Sequence, residues 1–234
     1  MSAVAQFRVF ADPDALARAA ADWLLTAAQS SEGDFALCLA GGETPRRLYD
    51  CLGTPPYLGA FPWPRTHLFW GDERFVPPDD ALSNLRMVRE SLLARAPIPP
   101  GNVHPIPTAG LSPPDAAAAY ERTLRDFRPA GSPLFDATLL GLGTDGHTAS
   151  LFPHSPALAE RERWVLPVVG AKPEPRITLT YPALESSRLV GFLVTGADKA
   201  PVLKRIRDGV SDDPAARLCA PGGAVWFADR AAMP

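Results

Sequence analysis

Short apolar runs alternate along the chain with segments whose apolar residues recur every three or four positions. The runs predict buried β-strands, and the helical spacing predicts amphipathic α-helices. We predict strands at residues 4–10, 35–40, 66–70, 103–106, 135–140, 164–169, 176–180, 189–195 and 224–228. We predict helices after residue 12, at 46–51, after 83, after 112 and from 196 to 206. Strands and helices that alternate from end to end indicate an α/β fold with a largely parallel sheet.

Helix-start signals support several of these assignments. Asp12 and Thr44 are each followed by proline, as an N-cap residue followed by the first helical residue would be. Ser83 and Ser112 have the hydroxyl that suits an N-cap ahead of two later helices. The first helix has a predicted buried stripe at Leu16, Ala20, Trp23, Leu24 and Ala27. Because the chain shows no internal repeat, low-complexity tract or linker-like stretch, we predict that residues 1–234 form a single domain.

Composition excludes several classes of function. The net charge is -3 with no cluster of Lys or Arg, so the chain lacks the basic patch that binds nucleic acid. The three cysteines are scattered without metal-ligand spacing, which predicts neither a zinc site nor a disulfide framework. No apolar run is long enough to cross a bilayer, and the N-terminus lacks a signal-peptide pattern. We therefore expect a cytoplasmic protein with neither a nucleic-acid nor a membrane partner.

Four of the predicted strands end in glycine-containing segments that also carry polar side chains. These segments are GGETP at 41–45, GDERFVP at 71–77, GLGTDGHTASLFP at 141–153 and GADK at 196–199. Open α/β sheets bind their ligands at the carboxyl ends of strands, so these segments are the candidate binding regions.

Three of the four segments suit an anion. The double glycine at Gly41 and Gly42, between a strand and a helix, leaves backbone N–H groups free to hold a phosphate, with a plain tight turn as the alternative. Arg74 suits bidentate phosphate recognition, with a surface ion pair as the alternative. Lys199 lies in the first turn of its predicted helix, where a bound anion would offset the unfavourable helix dipole. A solvated lysine is the alternative there.

Segment 141–153 carries the candidate chemistry. Its glycines allow a sharp turn and a close approach to a ligand. Asp145 and His147 lie in its middle, and histidine is the side chain that titrates near neutral pH. A carboxylate and an imidazole on a glycine loop suit acid–base catalysis on a small molecule. A histidine that serves only the turn is the alternative.

In order and content these segments resemble the 6-phosphogluconolactonase family, and the resemblance covers nearly the whole chain. RITLT at 176–180 also matches, and DGHTASLFP at 145–153 is the most specific stretch. Glu43 departs from the small hydroxyl residue that is usual in the family, and we expect its side chain to point away from a bound phosphate. The related glucosamine-6-phosphate deaminases continue a similar loop toward a catalytic Glu, whereas residues 149–153 contain no carboxylate.

The resemblance implies a Rossmann-like three-layer fold with helices on both faces of the sheet. It implies a hydrolase of the oxidative pentose phosphate pathway that opens 6-phosphoglucono-1,5-lactone to 6-phosphogluconate. Nothing in the sequence calls for a metal or nicotinamide, so we expect no cofactor. His147 would be the acid–base group, oriented by Asp145 or Asp72, between which the sequence does not choose. Backbone N–H groups of the loop from Gly143 to Gly146 would stabilise the oxyanion. The residues expected to bind the phosphate are Gly42, Thr44, Arg74 and Lys199. We expect a monomer.

Three alternatives stay open at this stage. A glucosamine-6-phosphate deaminase–isomerase is disfavoured by the missing Glu. A non-catalytic sugar-phosphate sensor usually carries a DNA-binding helix-turn-helix, and this chain has no basic segment for one. A phosphosugar isomerase has no special support in the sequence.

Overall fold

Two β-sheets organise the computed structural model, which describes residues 5–128 and 131–234. Its strands are β1 (Gln6–Phe10), β2 (Phe35–Leu39), β3 (Thr66–Trp70), β4 (Asp72–Arg74), β5 (Val103–His104), β6 (Phe135–Gly141), β7 (Val165–Val168), β8 (Arg176–Leu179), β9 (Ser187–Val194) and β10 (Ala224–Asp229). The larger sheet has seven strands in the order β1-β10-β9-β6-β2-β3-β5, and all its pairs are parallel. The smaller sheet, β4-β8-β7, is antiparallel.

Helices flank the parallel sheet, as the α/β pattern predicts. They are α1 (Pro13–Ser30), α2 (Glu43–Leu52), α3 (Tyr57–Ala60), α4 (Asn84–Val88), α5 (Pro113–Phe127), α6 (Tyr181–Glu185) and α7 (Ala200–Arg207). Asp12 caps α1 by accepting a 2.7 Å hydrogen bond from the Ala15 N–H, and Ser83 and Ser112 cap α4 and α5. These three predicted caps are confirmed. In the described ranges, none of the helices combines the length and apolar character needed to span a membrane.

Two predicted helix starts are wrong. α2 begins at Glu43, with Gly42 as its N-cap, so Thr44 lies inside the first turn instead of capping it. Gly42 has a φ of +107°, a conformation that glycine adopts without the steric penalty of a Cβ atom. Lys199 ends a 3₁₀ turn, Ala197–Lys199, and α7 starts at the next residue, so Lys199 does not lie in the first turn of α7.

Alternate residues of β10 show that both faces of the large sheet are covered. Trp226 stacks on Phe192 of β9 with ring centroids 3.8 Å apart. The next residue, Phe227, points to the other face because strand side chains alternate, and it packs edge-on against Trp23 of α1 at 5.6 Å. All five residues of β2 are buried as well. Near-continuous burial of this kind is typical of a parallel sheet with helices on both sides.

The predicted strands are confirmed within a residue or two, and seven of the nine form the largely parallel sheet that was predicted. Val4, the first residue of the first predicted strand, lies outside the described residues. β7 and β8, predicted as part of the alternating pattern, leave the parallel sheet and pair with β4. β4 consists of Asp72, Glu73 and Arg74, and its polar sequence gives no periodic signal from which a strand could be predicted.

Two buried tyrosines attach helices to the carboxyl ends of neighbouring strands. The Tyr49 hydroxyl of α2 donates to the Ala40 carbonyl at 2.8 Å and accepts from the Ala40 N–H at 3.0 Å. The Tyr120 hydroxyl of α5 makes the same pair of bonds to Trp70, at 3.1 Å and 2.8 Å. The glycine segments that follow β2 and β3 therefore start from anchored backbone.

Candidate active site

A cleft of about 340 Å³ opens at the carboxyl ends of the central strands. From β2 the chain proceeds to β3 and β5 on one side of the sheet, whereas from β6 it proceeds to β9 and β10 on the other. The boundary between β2 and β6 is therefore the topological switch point, where open α/β sheets bind ligands. Gly41 after β2 and Gly143 after β6 both line the cleft.

Most of the residues predicted for the site line this cleft, and the segments that follow β2, β3, β6 and β9 all contribute. The predicted residues that line it are Gly42, Asp72, Arg74, Gly143, His147 and Lys199. Among the described residues, Thr44, Asp145 and Gly146 are absent from its lining, and Asp145 reaches the cleft only through His147. The Thr44 hydroxyl lies 2.7 Å from the Thr195 hydroxyl at the end of β9. At Gly146 a Cβ atom would lie 2.5 Å from Asp213, so this glycine permits close packing away from the cleft.

Asp145 holds the imidazole of His147. Its Oδ1 lies 2.5 Å from His147 Nδ1 and 3.2 Å from the His147 backbone nitrogen, which donates to it. Because a carboxylate only accepts, Nδ1 carries the proton, and in the neutral form of the ring Nε2 has the free lone pair. Burial alone would raise the pKa of Asp145, but the hydrogen bond and charge of His147 outweigh it and hold that pKa below its usual value. His147 is 29% exposed, so water reaches the ring.

The loop between β6 and this histidine is too tight for a side chain at Gly143. A Cβ atom there would lie 2.0 Å from His147 Nδ1. The Gly143 N–H donates to the His147 carbonyl at 2.9 Å, and the Gly146 N–H donates to the Gly143 carbonyl at 3.0 Å. Both amides are thus engaged inside the loop. In this arrangement neither glycine amide is available to an oxyanion, so the prediction is wrong for these two residues of the loop.

Asp72 is separate from the Asp145–His147 pair. Its Oδ2 accepts a 2.6 Å hydrogen bond from the hydroxyl of Ser150, a buried residue that follows the histidine loop. The Ser150 backbone N–H donates to the Thr178 hydroxyl on β8 at 3.1 Å. The sequence did not decide whether Asp145 or Asp72 orients His147, and in the structure Asp145 is the one in contact with it. Asp72 presents a second carboxylate to the cleft.

Arg74 is held at the cleft by the start of α4. Its Nη1 donates to the Leu82 carbonyl at 3.0 Å and to the side-chain oxygen of Asn84. Asn84 in turn donates to the Asp72 carbonyl at 2.9 Å. Asn84 also fills the space above Gly41, where a Cβ atom would lie 2.0 Å from its amide oxygen. The segments after β2 and β3 therefore meet at one asparagine.

Glu73 serves structure instead of chemistry. It is buried, and its carboxylate accepts hydrogen bonds from the backbone N–H groups of Arg74, Asn84 and Leu85, each at 2.8 Å. Burial raises its pKa, and these three bonds act in the opposite direction. By accepting from the first residues of α4, Glu73 joins β4 to that helix and positions Arg74.

Arg176 is the main residue that sequence reasoning missed. It lies directly opposite Arg74 in the β4–β8 pair, lines the cleft, and contacts Glu174 through Nη2 at 3.4 Å. Its Nε and Nη1 are buried and, within the described part of the chain, have no hydrogen-bond partner. Burial lowers its pKa, and the charge of Arg74 lowers it further. Like charges directly opposite each other are destabilising, and an anion bound between them would offset that cost.

Two lysines also line the cleft and bring its cationic side chains to four. Lys199 Nζ lies 3.0 Å from Asp198, and Lys172 projects from the segment between β7 and β8.

Glu43 is 69% exposed beside Arg46 and does not line the cleft, as expected for a carboxylate near an anion site. Across residues 5–128 and 131–234, no group of three or more His, Cys, Asp and Glu side chains is placed to hold a metal ion.

An imidazole held by a carboxylate, a second carboxylate and four cationic side chains thus share one cleft. This fold and site define an α/β enzyme whose cleft suits a small anionic molecule. The chain belongs to the family described as glucosamine-6-phosphate isomerases/6-phosphogluconolactonase, whose family model matches residues 11–226.

Within this family, the chain is similar over most of its length to proteins named 6-phosphogluconolactonase. The chain is 41% identical over 234 residues to a 6-phosphogluconolactonase of Nostoc sp., covering 96% of this chain and 95% of that protein. It is 42% identical over 215 residues to a 6-phosphogluconolactonase of Synechocystis sp., covering 89% and 87%. The crystal structure of 6-phosphogluconolactonase from Thermotoga maritima superposes with a TM-score of 0.85 at 32% identity, covering 97% of this chain and 100% of that one.

Proposed function

We propose that this protein hydrolyses 6-phosphoglucono-1,5-lactone to 6-phosphogluconate, a step of the oxidative pentose phosphate pathway. The observation that carries the proposal is the Asp145–His147 pair, set beside four cations in a cleft at the switch point. A lactone phosphate needs these two elements, a general base for water and an anchor for the phosphate. The relatives named 6-phosphogluconolactonase, which match nearly the whole chain, support the same substrate.

His147 acts first as base and then as acid. Its Nε2 takes a proton from water as the oxygen of that water attacks the lactone carbonyl carbon, forming a tetrahedral intermediate. When the intermediate collapses, the bond to the ring oxygen breaks, and Nε2–H returns the proton to that oxygen. Asp145 keeps the proton on Nδ1 and stabilises the transient imidazolium. General acid–base catalysis by a positioned side chain contributes about 10²–10⁴-fold to a rate.

The phosphate is bound by the cations away from this pair. Arg74 and Arg176 face each other across β4 and β8, and a phosphate between them satisfies the unpartnered nitrogens of Arg176. Gly42, at the start of α2, offers a helix N-terminus for the same anion, and Lys199 adds charge from the end of β9. Thr44 supports this site through Thr195 instead of contacting the phosphate.

Asp72 binds a hydroxyl group of the sugar in this scheme. Ser150 uses its hydroxyl hydrogen on Asp72 Oδ2, which leaves Oδ1 to accept from a substrate hydroxyl. Such a bond orients the ring over His147, and orientation of this kind is a large part of enzymatic rate enhancement. The amides of Gly143 and Gly146 have no role as donors in this scheme because the loop already uses them.

Lactone hydrolysis is measured with substrate generated in place by glucose-6-phosphate dehydrogenase, against the spontaneous rate without protein. The wild type should accelerate ring opening, and His147→Asn should lower kcat by about 10²-fold or more. His154→Asn is the matched control, because His154 has a φ of +63°, which asparagine tolerates, and does not line the cleft. Acceleration by His147→Asn equal to wild type would refute His147 as the base.

Absence of acceleration by the wild type would refute the proposed function itself. Ammonia release from glucosamine 6-phosphate would then indicate a deaminase, although segment 149–153 supplies no carboxylate for that chemistry. Tight binding of a sugar phosphate without turnover would indicate a sensor.

We also propose a cytoplasmic enzyme that acts as a monomer, with residues 1–234 as one domain and without a cofactor or nucleic-acid partner. The net charge of -3 without a basic cluster supports the last point. Light scattering after size exclusion tests the monomer, because a mass near twice 25.0 kDa would contradict it.

A further inference from the structure

We propose that Lys172 binds the reacting end of the substrate, where it pairs with the oxyanion of the intermediate and then with the new carboxylate of the product. The proposal rests on the lactonase function above and assigns Lys172 a task distinct from that of the phosphate-binding cations.

Lys172 is linked to the catalytic histidine through one aromatic ring. Its Nζ lies 5.2 Å from the centroid of Phe152, and the Phe152 ring lies 4.7 Å from that of His147. Phe152 is buried and follows the histidine loop by a few residues. The lysine head group therefore lies on the histidine side of the cleft. A cation on this side is near the carbonyl that His147 hydrates.

Each of the other cleft cations contacts at least one protein group, although Arg176 keeps two nitrogens without a partner in the described part of the chain. Arg74 donates to Asn84 and the Leu82 carbonyl, Arg176 contacts Glu174, and Lys199 contacts Asp198. Among the residues that the structure describes, Lys172 makes no ion pair with a carboxylate, and the Phe152 ring is its charge-related contact. An ammonium group at a cleft without a carboxylate is available for an anion of the ligand.

The segment that carries Lys172 is tied down at its end. The Pro175 carbonyl accepts a 2.8 Å hydrogen bond from the Phe75 N–H, next to β4. Pro173 and Pro175 restrict the backbone between the lysine and that anchor, because proline fixes φ. Lys172 is exposed, but its position is limited by this short anchored stretch and by Phe152.

The chemistry of ring opening calls for a positive charge at this end. The lactone carries charge only on its phosphate, whereas the tetrahedral intermediate has one more negative charge at C1. The product has the same extra charge once its new carboxylic acid has released a proton to water. A preorganised cation near that carbon stabilises charge that is absent from the substrate, and such differential binding lowers the barrier. The amides of Gly143 and Gly146 are already used inside the loop, and the Lys172 ammonium is a cation on the histidine side of the cleft.

The test compares two ligands that differ only at C1. Calorimetry measures binding of 6-phosphogluconate, which has a carboxylate there, and of glucitol 6-phosphate, which has an alcohol. Lys172→Gln should weaken 6-phosphogluconate binding about tenfold, an estimate for a charged hydrogen bond reduced for exposure. Binding of glucitol 6-phosphate should change by less than about twofold, and kcat should fall while KM changes little. Lys172→Arg should restore most of the difference.

Lys204→Gln is the matched control, because Lys204 of α7 pairs with Asp208, just after that helix, and does not line the cleft. Equal weakening of both ligands by Lys172→Gln would overturn the proposal and assign the lysine to the phosphate. Unchanged binding of both would overturn it as well. If the wild type neither hydrolyses the lactone nor binds 6-phosphogluconate, the proposed function fails. If it does both and Lys172→Gln behaves as wild type, only the role of Lys172 fails.

Discussion

Tyr120→Phe should destabilise the protein more than the loss of one hydroxyl suggests. The residue pairs between β3 and β5 end at Phe69, so on that side Trp70 extends past the end of β5. The Tyr120 hydroxyl replaces that strand by accepting from the Trp70 N–H at 2.8 Å and donating to its carbonyl at 3.1 Å. Both side chains are 1% exposed, so water does not replace the lost bonds.

The magnitude follows from the groups left without partners. An orphaned buried donor or acceptor costs about 1–3 kcal/mol, and phenylalanine orphans the Trp70 N–H while removing one bond to its carbonyl. We expect a loss of about 2–3 kcal/mol in the free energy of unfolding. For a chain of this length that corresponds to a fall in Tm of about 4–12 °C. Tyr49→Phe should behave similarly, because Tyr49 makes the same two bonds to Ala40.

Urea unfolding followed by circular dichroism measures the loss, with Tyr181→Phe as the matched control. The buried Tyr181 hydroxyl makes one hydrogen bond, to the Pro214 carbonyl, and its removal orphans no N–H group. We expect about 1 kcal/mol for that control. Equal losses for Tyr120→Phe and Tyr181→Phe would refute the argument that the Trp70 N–H decides the cost.

Three further predictions concern the site and the response to pH. Asp145→Asn should lower kcat about 10²-fold or more with KM nearly unchanged, because an amide no longer holds the imidazole in its productive tautomer, and rates equal to wild type would contradict this. Arg74→Gln and Arg176→Gln should each raise KM about tenfold or more with a smaller effect on kcat, and an unchanged KM would remove that arginine from the phosphate site. His67 and His104 are hydrogen-bonded to each other, and burial lowers the pKa of both, so the unfolded chain takes up protons first as the pH falls. Stability should be complete above the unfolded pKa of about 6.5 and decline below it, and a urea midpoint that does not fall between about pH 7.5 and 5.5 would contradict this.

Sequence reasoning predicted which segments line the cleft because it used the positions at which parallel strands end. Four segments follow strands that lie next to or near one another in the sheet, and they begin at Gly41, Gly71, Gly141 and Gly196. Because these strands are parallel, all four segments lie at the same edge of the sheet. Local chemistry at His147 was sufficient to propose a base. The position of the cleft and the choice of His147 as base need only the direction of the strands and the residue types, and a single sequence provides both.

The features that were missed or wrong depend on contacts between distant segments. Arg176 enters the site because β8 pairs with β4, and that antiparallel pairing leaves no trace in either strand's own periodicity. The amides of Gly143 and Gly146 were expected to be free, but hydrogen bonds inside the loop use them. Thr44 was expected to cap α2, but the positive φ of Gly42 starts the helix earlier. Choosing Asp145 over Asp72 likewise required knowing that Ser150 meets Asp72.

Asn84 has a consequence for engineering. Its amide fills the space above Gly41, accepts from Arg74 and donates to the Asp72 carbonyl. The segments after β2 and β3 are therefore not interchangeable modules, and a graft of either one from a relative with another substrate must bring a compatible residue at position 84. Even Gly41→Ala would displace the Asn84 amide and break its hydrogen bond to Arg74. A redesign of this enzyme therefore has to change the segments after β2 and β3 together with α4.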